Sequence, residues 1–117
     1  MTNFETSDYV VVQTTTDQRN VADRIAKALV EDRLAACVQI QGPITSIYRW
    51  KDTVETSEEW LIVAKSHREL FARVEAAIRG LHNYQVAEIL ALPVVAGHAD
   101  YLEWMRSELF HVEPQLR

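Results

Sequence analysis

Glycine and proline are scarce in this 117-residue chain, with three of each. That leaves no room for a low-complexity linker, so 1–117 reads as a single domain with a core of about 9–109. Cysteine occurs once, as Cys37. An intrachain disulfide is thereby excluded, and a lone thiol fits a reducing compartment. Basic residues are in deficit: 12 Lys and Arg stand against 17 Asp and Glu, for a formal net charge of -5. Non-specific binding to nucleic acid or to an anionic membrane needs the opposite balance. Metal cations are not excluded. No apolar run approaches the roughly 18 residues of a membrane span. The opening Met1-Thr2-Asn3-Phe4-Glu5 lacks the basic start and apolar centre of a signal peptide, so the expected location is cytoplasmic. A glycine-rich phosphate loop, His-Glu-x-x-His and Cys-x-x-Cys are all missing. Their absence removes the commonest phosphate, zinc and dithiol chemistries, and no enzyme is expected.

What is present is a long apolar and β-branched stretch from Leu34 to Ser66. Its first arm ends in an alternation that puts Ile44, Ser46, Tyr48 and Trp50 on one side and Thr45, Ile47 and Arg49 on the other. Lys51-Asp52-Thr53 reads as the turn, and Trp60 to Lys65 as the returning strand. Asp52, Glu55, Glu58 and Glu59 read as an acidic tip near that turn. Arms longer than the usual five or six residues outrun a small core. Another copy of the same chain is the simplest cover for the overhang.

Before the hairpin, Tyr9 to Thr15 reads as a buried strand. Asp17 is the expected N-cap of a helix carrying Val21, Ala22, Ile25, Ala28 and Leu29 inward. After the hairpin, Ser66 and Glu69 have capping-box spacing before a helix marked by Leu70, Val74, Ala77, Ile78 and Leu81. His82 to Glu88 is a polar connection. Ile89 to Ala96 is a fourth strand, with Pro93 at a bulge or edge. Asp100 to Leu109 is a last helix. This α+β order, βαββαβ plus a C-terminal helix, predicts a ferredoxin-like sandwich with a long central hairpin. One sheet face is left open except for the last helix. Strands this apolar on both sides again predict an oligomer.

Ala35-Ala36-Cys37-Val38, Ser46-Ile47-Tyr48-Arg49-Trp50, Lys65-Ser66, His82 to Ile89 and Tyr101-Leu102-Glu103-Trp104 occur in an order and spacing that resembles the CutA (CutA1) divalent-cation tolerance family. The resemblance implies a PII-like homotrimer linked to tolerance of copper and other divalent cations, without an accepted enzymatic activity. The family loop usually reads His-Pro-Tyr-Glu-x-Pro-Glu. Here Asn83 and Ala87 stand for the prolines and Gln85 for the acid, and Asp52 replaces a usual glycine.

Cys37 and His82 offer a thiolate and an imidazole, which suit copper or zinc. Glu88, and Glu59 beyond it, are further candidate ligands. The competing reading of Cys37 is a small hydrophobe buried in a strand. Arg49, Trp50, Lys65 and Tyr84 are candidates for lining a cleft between subunits, where the two cations would favour a small anion. Glu88 paired with Lys65 or Arg49 as a plain subunit tie is the alternative. A thiol triad of Cys37, His82 and Glu88 is the wrong setting for a nucleophile, because a mid-strand thiol lacks the exposure it needs. The expected function is divalent-cation binding by a homotrimer, with no cofactor required for folding. A PII-like small-anion sensor and a trimeric scaffold anchoring a partner protein are the alternatives.

Overall fold

The hydrophobic alternation resolves into four antiparallel strands in the computed structural model, which describes residues 8–111. The start weighed against a signal peptide and the tail from Val112 lie outside the described residues. The strands are β1 (Tyr9–Thr16), β2 (Cys37–Trp50), β3 (Thr53–His67) and β4 (Leu90–Pro93). They are joined or followed by helices α1 (Arg19–Glu31), α2 (Phe71–Leu81) and α3 (Ala99–Phe110). The sheet order is β2-β3-β1-β4, and each ladder is antiparallel.

Strand pleating sorts the side chains. Val10, Val12, Thr14 and Thr16 of β1 share a face with Ile62, Ala64 and Ser66 of β3, and all are buried. α1 contributes Val21, Ala22, Ile25 and Leu29 to the same core, and α2 contributes Val74 and Ile78. Each fully buried aliphatic side chain there stabilises by about 1.5–3 kcal/mol. α3 packs on the other face, where the Phe110 ring meets His67 edge-on at 5.1 Å and the Lys65 ammonium lies 5.8 Å from the Tyr101 ring centre. It leaves Leu90 and Leu92 of that face exposed.

Several expectations are corrected. β3 begins at Thr53, not at Trp60, because pairing with β2 down to Trp50↔Thr53 carries acidic residues into the ladder. The fourth strand is only Leu90–Pro93, paired with Val10–Gln13 of β1, and a single further bond from the Val94 amide to the Tyr9 carbonyl at 3.0 Å continues it. Pro93 sits on an edge strand, as required. α1 is preceded by Gln18 rather than Asp17, whose carboxylate is engaged elsewhere. Ser66 does not cap: its hydroxyl donates to the Leu34 carbonyl at 2.7 Å, fully buried. His67 caps the 3-10 turn Arg68–Leu70 instead, its Nδ1 accepting from the Glu69 amide at 3.1 Å.

The hairpin turns at Lys51 and Asp52, with φ of 49° and 67°. Two consecutive positive values mark a tight primed turn whose twist matches the strands. One extra residue of β2 is accommodated between Gln41 and Ile44. Gly42 lies there against the Trp60 ring, so close that a Cβ would come within 2.5 Å of it. Beyond the bulge the arm leaves the core, and Ile47, Tyr48, Trp50 and Val54 are exposed. The resulting body measures 52 × 29 × 23 Å, with a radius of gyration of 15.5 Å. A compact chain of this length would have about 13 Å.

Candidate functional site

The α2–β4 connection is held down residue by residue. His82 ends α2, and both ring nitrogens are used: Nε2–H donates to the Thr15 carbonyl at 2.8 Å and Nδ1 accepts from the Tyr84 amide at 3.0 Å. Asn83 accepts from the Thr16 hydroxyl at 2.6 Å and donates to Asp17 at 2.9 Å. Gln13 donates to Glu88 Oε2 at 2.9 Å. Tyr84 reaches the hairpin, donating to Glu59 Oε2 at 2.6 Å. Burial, together with the Glu59 carboxylate that its hydrogen bond serves, holds the Tyr84 hydroxyl well above the ordinary phenol range. It therefore remains a donor.

Between this loop and the outer hairpin lies a cleft of about 640 Å3. Tyr48, Trp50 and Glu59 line it from the hairpin, and Tyr84, Val86 and Glu88 from the loop. Tyr48 is steadied by a 2.7 Å hydrogen bond shared with Ser57. Glu59 is only 6% exposed. It therefore does not belong to an acidic tip. It alternates with Glu58 across the strand and turns to the cleft side, whereas Glu58 is exposed.

Of the residues expected at a ligand cleft, Trp50 and Tyr84 line this one, while Arg49 and Lys65 stand outside it. Arg49 pairs with Val54 on the opposite side of the arm, and Lys65 lies over Tyr101. Of the expected metal ligands, Glu88 is in the cleft and His82 borders it through Tyr84. Cys37 is not brought to them. It is half-buried at the first position of β2, opposite Lys65, which in turn faces Val11. His82 bonds at Thr15, four residues further along β1, or about 13 Å at strand rise. Among the described residues, no group of three or more His, Cys, Asp or Glu side chains is placed to hold a metal ion. Gln13 was not singled out from sequence, and Asn83 only as standing where the family loop has a proline. Their partners lie 75 and 66–67 residues away, so no local pattern announces them.

The family model described as CutA1 divalent ion tolerance protein matches residues 10–108. This chain belongs to the CutA family. The divalent-cation tolerance protein CutA of Thermus thermophilus is 46% identical over 96 residues, covering 82% of this chain and 93% of that protein. Human protein CutA is 45% identical over 92 residues, 79% of this chain but 51% of the human protein. The chain thus spans about half the length of that relative. Among solved CutA structures, that from Thermus thermophilus superposes with a TM-score of 0.84 at 44% identity, covering 86% of this chain and 97% of that one. The Xylella fastidiosa CutA structure gives 0.85 at 31% identity, covering 88% and 99%. An Arabidopsis relative is named chloroplastic, and an Archaeoglobus CutA structure is described as periplasmic. No helix of the described residues is long and apolar enough to cross a membrane.

Proposed function

We propose that this chain is a non-catalytic divalent-cation tolerance protein, binding copper or another divalent cation as a cytoplasmic, PII-like homotrimer of ferredoxin-like subunits. Membership of the CutA family carries the reading. The strand order β4-β1-β3-β2 with α1 and α2 on one face supports the ferredoxin-like assignment. The overhanging arm, with Ile47, Tyr48, Trp50 and Val54 exposed, supports assembly.

Cys37, His82 and Glu88 are the proposed ligands. Their separation within one chain means that a site using all three draws them from different copies. His82 binds a metal through Nδ1 only by releasing the Tyr84 amide. A small-anion sensor gains no support from the cleft, whose lining holds no Lys or Arg. Copper titration by calorimetry tests the reading, on the native chain and on Glu88→Gln and Cys37→Ser. A saturable isotherm with fixed stoichiometry, lost in either variant, is expected. Weak heats identical in all three would end the metal assignment. Sedimentation equilibrium at micromolar concentration should give three chains per particle; a monomer would end the trimer.

A further inference from the structure

His67 is the one histidine among the described residues that is less than one-tenth exposed. Its ring is wedged between two others. Tyr9 of β1 stands edge-on at 5.1 Å and 85°, and Phe110 of α3 edge-on at 5.1 Å and 88°. Nδ1 accepts from the Glu69 amide at 3.1 Å, so the neutral ring carries its proton on Nε2. A second proton can only go to Nδ1. There it would point at the Glu69 N–H, donor against donor, and the ring must turn out of its slot. The two walls of the slot differ in how far they can yield. Tyr9 lies directly opposite His67 in the ladder of β1, a strand paired on both edges. Phe110 is the last residue of α3. The polar tie at that end of the helix is Arg33, whose Nη1 donates to the Glu108 carbonyl at 2.7 Å and lies 3.5 Å from its carboxylate. Both side chains are exposed, so water screens the ion pair.

Charge favours the same wall. Glu69, Asp8, Arg68 and Arg106 act on the His67 ring. Asp8 precedes β1, Arg68 and Glu69 form the turn after β3, and Arg106 alone belongs to α3. An imidazolium is thus drawn towards Asp8 and Glu69 and repelled by the helix. The titratable groups at the ends of α3, His98 with Asp100 and His111, are exposed. We infer that α3 is an acid-released strap: protonation of His67 frees the last turn of the helix, Phe110 first, from the sheet and uncovers Met105 and Leu109. Burial, the largest cause, holds the His67 pKa below 6.5 while the helix is docked. A released ring returns towards 6.5, so proton binding favours release. Docking is complete above that pH and weakens as the pH falls below it. The strap is independent of the tolerance reading, since none of Cys37, His82 and Glu88 takes part in it.

Amide hydrogen exchange of the native assembled chain tests it, at about pH 7.5 and about pH 5, with labelling times scaled to the intrinsic rate. Residues 105–110 should lose protection several-fold at the lower pH while α1 keeps its own. His67→Phe leaves a ring in the slot that takes no proton, and should hold α3 down at both pH values. Reciprocally, Phe110→Ala should move the His67 titration, followed by NMR, upward towards 6.5. Protection of α3 that does not change with pH, a parallel loss in α1, a pH response that survives in His67→Phe, or a His67 titration unmoved by Phe110→Ala would each overturn the inference.

Discussion

The Tyr84 hydroxyl donates a 2.6 Å hydrogen bond to Glu59 across 25 residues of chain, and so ties the α2–β4 loop to the hairpin. Among the described residues it is the loop's one side-chain hydrogen bond to β3; His82, Asn83 and Glu88 all fasten to β1 or its flank. Tyr84→Phe keeps the ring against His82 and deletes only this tie. A hydrogen bond to a charged group contributes about 1.5–3 kcal/mol, so the lower end is expected at this partly open site. Urea denaturation at fixed protein concentration measures it, and faster amide exchange at 84–88 should accompany the loss.

His67 predicts a pH dependence. Burial, only partly opposed by Glu69 and Asp8 and reinforced by Arg68 and Arg106, lowers its pKa below the ordinary 6.5. The unfolded chain then binds the proton more readily than the folded one. This contribution to stability is full above pH 6.5, falls as the pH drops from there, and is lost once the pH passes the folded value. Denaturation midpoints recorded from pH 8 downward should show the slope. His67→Asn, which keeps a capping acceptor for the Glu69 amide, should flatten it.

Ser66→Ala removes the donor to the buried Leu34 carbonyl. An unpaired buried acceptor costs about 1–3 kcal/mol. The same loss should appear as a lower urea midpoint with an unchanged slope, since no surface is newly exposed.

Gly42→Ala should destabilise by about 1–3 kcal/mol through overpacking. The new methyl meets the Trp60 ring and, at 3.1 Å, the Glu59 carbonyl. Trp60 must shift for the bulge to persist, so a change in tryptophan emission is expected along with the lower midpoint. Gly80 has open space where its Cβ would be. Gly80→Ala in α2 should instead be neutral or stabilising by up to about 1 kcal/mol.

Apolar periodicity placed all four strands and all three helices, because burial of one face writes directly into residue spacing. Val21, Ile25 and Leu29 show it on α1, as do Val74 and Ile78 on α2. What periodicity could not carry was competition for hydrogen bonds. Asp17 and Ser66 have capping chemistry, yet Asn83 claims one and Leu34 the other from far along the chain. Nor does an acidic run reveal which member turns inward. Glu58 and Glu59 are chemically alike, and only the ladder register assigns Glu59 to the cleft side. Trp50 and Tyr84 were grouped from polar groups converging beside aromatics, but Arg49 and Lys65 were grouped with them, and they fall outside the cleft, Arg49 because strand alternation puts it on the opposite face from Trp50.

β1 lies inside the sheet, paired on both edges, yet it is the first strand made. Its partners Trp60 to His67 and Leu90 to Pro93 come much later in the chain. During synthesis this apolar segment leaves the ribosome long before either neighbour exists, and its ladders close only when most of the polypeptide has emerged. α1 and the hairpin can form locally in the meantime. The nascent protein thus has an unpartnered Val-rich strand until β3 has been made, and that interval is when a holdase chaperone has something to bind.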